Sequence, residues 1–151
     1  MNNVQLQNLI LADAQRIVEA IQTGSGWEVW MQVELTMILR TNNIQAAREV
    51  PYPPPNQAQK LDIIAQDQFG MYAIEMKVES ATNAGAQIIN GINADRAKIA
   101  NYPQPNPGAR WVVGLGYSHG ALQAMQAFAN NGANATIFAF NGGIGVTVST
   151  V

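Results

Sequence analysis

The chain contains no cysteine and few charged residues for its length. Without cysteine it has no disulfide, no thiolate metal site and no cysteine nucleophile, and its redox compartment stays open. Charged residues make up 12% of the 151 positions, well below the roughly 25% of soluble domains. The eight basic residues are scattered and form no consecutive run that would bind phosphate groups. This composition argues against a protein that binds nucleic acid through charge alone.

Long apolar runs are also missing. No stretch approaches the roughly 20 apolar residues that span a bilayer, and residues 1–21 lack the basic start and continuous apolar run of a signal peptide. We therefore expect a soluble protein with no membrane partner and a cytoplasmic site of action. The length suits a single domain over residues 1–151, although the chain could also be one piece of a larger polypeptide.

Helical and strand patterns alternate along the chain, separated by segments rich in proline, glycine and asparagine. The order predicts a mixed β-sheet flanked by helices, in the α/β or α+β class. Helical spacing of apolar residues covers 3–22, 27–41, 84–100 and 121–129, and strand patterns cover 45–52, 60–66, 71–79, 110–116, 136–140 and 144–148.

The second and third predicted strands form a hairpin with three charged residues on one face. If the turn is centred just after Gln68, Asp62 lies opposite Glu75, and cross-strand Cβ atoms are about 5 Å apart. Lys77 is two residues further along and points to the same side. Facing carboxylates repel each other unless one is protonated or a cation lies between them. Oxygen ligands suit Mg²⁺ or Mn²⁺, and Lys77 could orient a water molecule or stabilise negative charge on a phosphate.

The helix predicted over residues 27–41 adds a fourth charged candidate. Glu34 falls inside its apolar stripe, four residues after Trp30 and three after Met31. A carboxylate on a buried helix face is costly unless another group satisfies it. We therefore predict that this helix delivers Glu34 to the rim of the carboxylate pair, whereas Glu28 is expected nearer the solvated face.

The spacing of these residues resembles the core of the PD-(D/E)XK nuclease superfamily, whose members have a restriction endonuclease-like fold. The motif is Asp62 at the start of one strand, followed on the next strand by Glu75, one intervening residue and Lys77. Leu61 stands where the motif that names the superfamily has proline. The resemblance covers roughly residues 27–116, including the order of elements after the motif.

The resemblance implies a metal-dependent nuclease that hydrolyses phosphodiester bonds, with DNA a more probable substrate than RNA. It implies that Asp62, Glu75 and Glu34 bind Mg²⁺ or Mn²⁺ and that Lys77 assists the attacking water. Gln87, on the helix after the motif, is an auxiliary candidate. Since basic residues are scarce, charge neutralisation by the metal, dimerisation, or a partner protein or domain could supply the missing attraction for nucleic acid.

Two other interpretations of the same residues stay open. The hairpin face could be an exposed surface with a cross-strand ion pair, which requires no activity. The chain could also be a catalytically inactive relative that keeps the fold as a binding or immunity-type module. The acidic net charge of −2 favours that second interpretation, whereas the complete Asp–Glu–Lys set favours the enzyme.

The segment 116–120 matches the Gly-x-Ser-x-Gly pattern of a serine hydrolase and lies between a predicted strand and a predicted helix. A nucleophile at Ser118 would need a histidine base elsewhere in the chain. The single histidine, His119, lies inside the pattern itself. We therefore interpret these glycines as residues of a tight strand-to-helix turn.

Overall fold

The computed structural model describes residues 1–24 and 26–151. Within these residues it contains five α-helices and six β-strands. The helices are α1 (Asn3–Ala12), α2 (Ala14–Gln22), α3 (Trp27–Thr41), α4 (Ile88–Ile99) and α5 (His119–Asn130). The strands are β1 (Gln45–Pro51), β2 (Lys60–Asp67), β3 (Gly70–Val78), β4 (Gly108–Gly116), β5 (Thr136–Asn141) and β6 (Ile144–Thr150).

All six strands belong to one mixed sheet, in the order β1-β2-β3-β4-β6-β5. Strands β3 and β4 pair in parallel, and the remaining neighbours pair antiparallel. A parallel pair needs a crossover connection, which here contains α4. The predicted mixed sheet flanked by helices is confirmed.

The predicted helix over residues 3–22 is two helices instead of one. The chain departs from helical geometry at Asp13, where φ is −101° and ψ is 16°. The helical spacing of buried apolar residues continues across this break, as the burial of Ile10, Ala14 and Ile17 shows. Since periodicity reports which side chains face the core and not the path of the backbone, the break left no signal in the pattern.

Each face of the sheet packs against its own set of helices and has its own apolar core. The first core joins α1, α2 and α3 to one face of the sheet, and the second joins α4 and α5 to the other. Full burial of a large apolar side chain contributes about 1.5–3 kcal/mol. Core residues near the hairpin are Met31, Leu35, Ile63, Ile74 and Met76 in the first core and Tyr52, Leu61, Ala73, Ile88 and Ile92 in the second.

Leu61 departs from the regular alternation of side chains between the two faces of the hairpin. By alternation it should share the first core with Ile63, but it packs in the second core with Tyr52. The β1–β2 ladder omits the pair at Glu49 and Asp62, and Glu49 has a left-handed φ of 52°. This irregularity turns the start of β2, so strict alternation fails there.

No helix among residues 1–24 and 26–151 is long and apolar enough to cross a membrane.

Candidate functional site

The hairpin has the turn and register that the sequence predicted. Strands β2 and β3 pair from Asp67 and Gly70 at the turn to Ile63 and Ile74. The ladder ends at that pair. Just beyond it the side chain of Asp62 contacts β3, because Asp62 Oδ2 accepts a hydrogen bond from the backbone N–H of Met76 at 2.8 Å.

Glu75 is the most deeply buried acid of this region, with 1% of its surface exposed. Its Oε1 accepts a hydrogen bond from the hydroxyl of Tyr52 at 2.9 Å. Its Oε2 accepts one from Nζ of Lys98, on α4, at 2.8 Å. Each carboxylate oxygen therefore accepts one hydrogen bond, from the residue that follows β1 and from α4.

Lys77 reaches two carboxylates that come from helices on opposite sides of the sheet. Its Nζ lies 3.3 Å from Oε2 of Glu28 on α3 and 3.5 Å from Oδ2 of Asp95 on α4. Its stem runs over Gly91, where an added Cβ would lie 2.8 Å from Lys77 Cδ. Glu28 also accepts a hydrogen bond from the N–H of Val78, so it caps the end of β3.

Together these residues form a group of charged and polar side chains near the end of the hairpin, in which the charge of Asp62 acts on both Glu75 and Asp95. We name this group the carboxylate cluster. Four acids and two lysines give it two more carboxylates than ammonium groups. A low-dielectric site with such an excess favours either bound protons or an added cation. The members are Glu28, Tyr52, Asp62, Glu75, Lys77, Asp95 and Lys98.

The protonation equilibria of the cluster reflect this excess. Burial and the nearby charge of Asp62 together raise the pKa of Glu75 to about 7, against the opposing effect of Lys98. Burial likewise raises the pKa of Asp95 to about 6. Burial would lower the pKa of Lys77, but the carboxylates of Asp95 and Glu28 outweigh it and raise that pKa. Lys77 is therefore a protonated cation at neutral pH.

Glu34 does not join the cluster. Its carboxylate is buried and pairs with Arg16 of α2 at 3.0 Å. Burial raises its pKa, Arg16 lowers it, and neighbouring Asp13 raises it again. The acid of α3 that reaches the cluster is Glu28, six residues earlier. The helix is apolar almost all round, so its own pattern did not reveal which acid would face the hairpin.

Gln87 also lies apart from the cluster. It is the last residue of a short 3-10 helix, Gly85–Gln87, and its side chain is exposed. No hydrogen bond among the described residues links its side chain to the cluster.

Sequence reasoning missed four members of the cluster. Asp95 and Lys98 follow Gly91 at helical spacing, so they occupy one side of α4 next to the buried stripe. That spacing was a usable signal. Tyr52 carries no such signal, because it comes from the residue after β1 and is placed only by the sheet. Glu28 was assigned to solvent.

The cluster suits a divalent cation in its chemistry and charge. Its donors are carboxylate oxygens, which Mg²⁺ and Mn²⁺ prefer. Oδ2 of Asp95 is buried and accepts no hydrogen bond among the described residues, and the Lys77 ammonium forms an ion pair with it at 3.5 Å. In the present side-chain arrangement, two lysines lie between the acids. Among residues 1–24 and 26–151, no three acidic or histidine side chains are close enough together to bind one metal ion. A cation of charge +2 would balance the two excess carboxylates.

All eight basic side chains already contact groups of the chain itself. A surface for phosphates would need some of them to be released. Their partners are Glu34 for Arg16, Glu49 for Lys60, Glu28 and Asp95 for Lys77, Glu75 for Lys98, and oxygen atoms of other residues for Arg40, Arg48, Arg96 and Arg110.

The Gly-x-Ser-x-Gly segment forms a tight turn between β4 and α5. Ser118 caps α5 with ordinary extended backbone angles, φ −76° and ψ 153°. Its hydroxyl donates to the carboxylate of Glu79 and accepts from the N–H of Ala121. A nucleophile elbow holds its serine in a strained conformation, which Ser118 does not adopt.

No family model matches the chain, and comparisons with curated proteins and with solved structures also gave no match.

Proposed function

We propose that the protein is a metal-dependent nuclease that hydrolyses phosphodiester bonds, with DNA as the favoured substrate and RNA as the alternative. One observation carries the proposal: the partly buried Asp62 lies close enough to the buried Glu75 to raise its pKa, in a cluster with two excess carboxylates and a protonated Lys77. An exposed strand face with a simple ion pair would not bury Glu75 or raise its pKa.

Mg²⁺ or Mn²⁺, when bound, would activate the attacking water and offset charge on the phosphate. Asp62 and Glu75 would hold the ion, with Asp95 and Glu28 closest to complete the set. Glu28 takes the part that the resemblance assigned to Glu34. Because its pKa is raised, Lys77 keeps its proton. Lys77 therefore serves by stabilising negative charge on a phosphate oxygen and not as a base.

The order of elements also supports a restriction endonuclease-like core. From α3 the chain runs through three antiparallel strands, β1 to β3, and then through α4 into β4, parallel to β3. This is the order that the resemblance implied over residues 27–116. The motif occupies the two central strands of that unit.

Nucleic acid would bind with help from outside the single chain. The basic residues are engaged, so a second copy or a partner domain would add the missing positive charge. Val29, Val33 and Met37 form an exposed apolar row on α3 at intervals of four residues. We place the site of action in the cytoplasm.

A second candidate function is a catalytically inactive binding or immunity-type module. It is favoured by one observation, namely that Lys77 and Lys98 pair with the acids that would bind metal. In this case the cluster would only hold the hairpin to α3 and α4.

Cleavage of plasmid DNA and of RNA, with Mg²⁺ and with a chelator, separates the two functions. We expect the wild type to cleave only with metal, and Glu75→Ala and Lys77→Ala to lose roughly 100-fold or more of the rate. Glu49→Ala is the control, because Glu49 is an exposed acid paired with exposed Lys60. Equal, metal-independent signals from all four proteins would favour the inactive module.

Gly91→Ala tests the position of Lys77. The new methyl group would lie 2.8 Å from Lys77 Cδ, so the lysine stem must shift. We expect cleavage to fall several-fold, while the free energy of unfolding stays equal or rises by up to about 1 kcal/mol because alanine favours a helix. Gly120→Ala, in α5, is the matched control, since its methyl group meets only an ordinary contact at 3.5 Å. Full activity in Gly91→Ala would show that the position of Lys77 does not matter.

A further inference from the structure

The ammonium group of Lys98 occupies the position next to Glu75 where a metal cation would be expected. Its Nζ lies 2.8 Å from Oε2 of Glu75, the closest cation to that carboxylate. Lys77 is held by Glu28 and Asp95, so Lys98 is the lysine that neutralises Glu75. Without it, the carboxylate would be buried and charged with only the hydroxyl of Tyr52 as a partner.

Lys98 can leave this position more easily than the acid can. Its side chain is 31% exposed, against 1% for Glu75. The ammonium also lies 5.9 Å from the ring centre of Tyr52, at the outer limit of a cation–π contact. A lysine has a flexible stem and a strongly hydrated charge. Rotation toward solvent would therefore free Oε2 while the backbone of α4 stays in place.

We propose that Lys98 is a built-in counter-ion that closes the site in the absence of metal and must be displaced from Glu75 before a divalent ion binds. This inference rests on the proposed function and adds a means of regulation to it. Metal affinity is lowered by the competition with Lys98, because the competent state is only part of the population. Lys98 is thus a positioning residue and not a catalytic one.

Binding of Mn²⁺ to the full chain at pH 8.5, followed by electron paramagnetic resonance, tests the inference. Lys98→Met keeps the length of the stem and removes the charge, and we expect it to bind Mn²⁺ roughly tenfold more tightly than the wild type. Lys60→Met is the matched control, because Lys60 pairs with Glu49 at an exposed site. Glu75→Gln identifies the binding that depends on this site.

The outcomes separate the inference from the proposed function. Tighter Mn²⁺ binding in Lys98→Met alone supports the counter-ion. Equal binding in the wild type and Lys98→Met, lost in Glu75→Gln, overturns it and leaves the nuclease proposal intact. Absence of any binding that depends on Glu75, in either protein, overturns both.

A measurement on the wild type covers the case in which Lys98→Met does not fold. The side-chain ammonium of Lys98, labelled with ¹⁵N, should give a signal protected by its hydrogen bond to Glu75. We expect saturating Mg²⁺ to abolish that signal as the ammonium moves into water. A protected signal that persists while Mg²⁺ binds would overturn the inference.

Discussion

Glu75→Gln is expected to abolish metal-dependent cleavage and, at pH 8, to raise the free energy of unfolding. Glutamine has the shape of the protonated acid but cannot carry the charge that a divalent ion needs. We expect activity to fall by roughly 100-fold or more. A gain in stability accompanying such a loss would distinguish a functional acid from a structural one.

The sign of the stability change follows from the pKa of Glu75, which burial raises from 4.5 to about 7. The folded state therefore holds a proton that the unfolded state releases near pH 4.5. The contribution of this proton to the free energy of unfolding is fully present below pH 4.5 and is lost as the pH rises through about 7. At pH 8 the wild type has lost up to about 3 kcal/mol by this route, which glutamine would recover.

Urea unfolding of both proteins at pH 5 and pH 8 measures this effect. We expect the wild type to be less stable at pH 8 and Glu75→Gln to show a smaller difference between the two conditions. Glu49→Gln, at an exposed position, should follow the wild type. If Glu75→Gln were less stable than the wild type at pH 8, the ion pair with Lys98 would outweigh the cost of burying the charge.

Glu79→Ala is expected to destabilise the fold more than any change in the carboxylate cluster. Glu79 is 2% exposed, and its carboxylate accepts hydrogen bonds from the N–H groups of Tyr117, Ser118 and Gly85 at 2.8–2.9 Å. It also accepts a hydrogen bond from the hydroxyl of Ser118. Alanine leaves all four donors without this acceptor. We expect a loss of about 3 kcal/mol, since hydrogen bonds to a charged group contribute about 1.5–3 kcal/mol each and these donors are partly buried.

The pH dependence of Glu79 runs opposite to that of Glu75. Burial would raise the pKa of Glu79, but the hydrogen bonds from Ser118, Tyr117 and Gly85 outweigh burial and lower it. The stabilisation by the ionised Glu79 is therefore present above pH 4.5, and it is lost as the pH falls through the lowered pKa of the folded state. Urea unfolding at pH 7 and at pH 3 to 4 should show that the difference in stability between the wild type and Glu79→Ala shrinks as the pH falls, because the contribution of Glu75 is common to both proteins.

Ser118→Ala separates the carboxylate from the helix cap. It removes one donor and the capping oxygen of α5 but leaves Glu79 its three backbone donors. A loss of about 1 kcal/mol is expected, as for other helix caps. If Glu79→Ala cost no more than this, water would be replacing the carboxylate at its backbone donors.

Local features of the sequence were enough to predict most elements and the register of the hairpin. Helix α3 has the predicted bounds, because a glycine segment precedes it and a polar segment follows it. The turn between Asp67 and Gly70 set the register as far as the pair of Ile63 and Ile74. These relations depend on neighbours in sequence and on the period of two along a strand.

Residues that meet across elements could not be predicted in the same way. Glu34 and Glu28 differ by less than two helical turns, and only the angle of α3 on the sheet decides which one reaches Lys77. Lys98 is 23 residues from Glu75 in sequence, and their contact depends on how α4 packs after the crossover.

The sequence by itself thus determined the order of elements, the mixed sheet and the register of the hairpin from its turn to Ile63 and Ile74, since each follows from periodicity and turn chemistry. Only the tertiary structure decided that Glu34 pairs with Arg16 and that Glu28, Asp95 and Lys98 surround the hairpin. Those contacts join residues of different helices and strands, and their geometry comes from core packing, which no local pattern encodes.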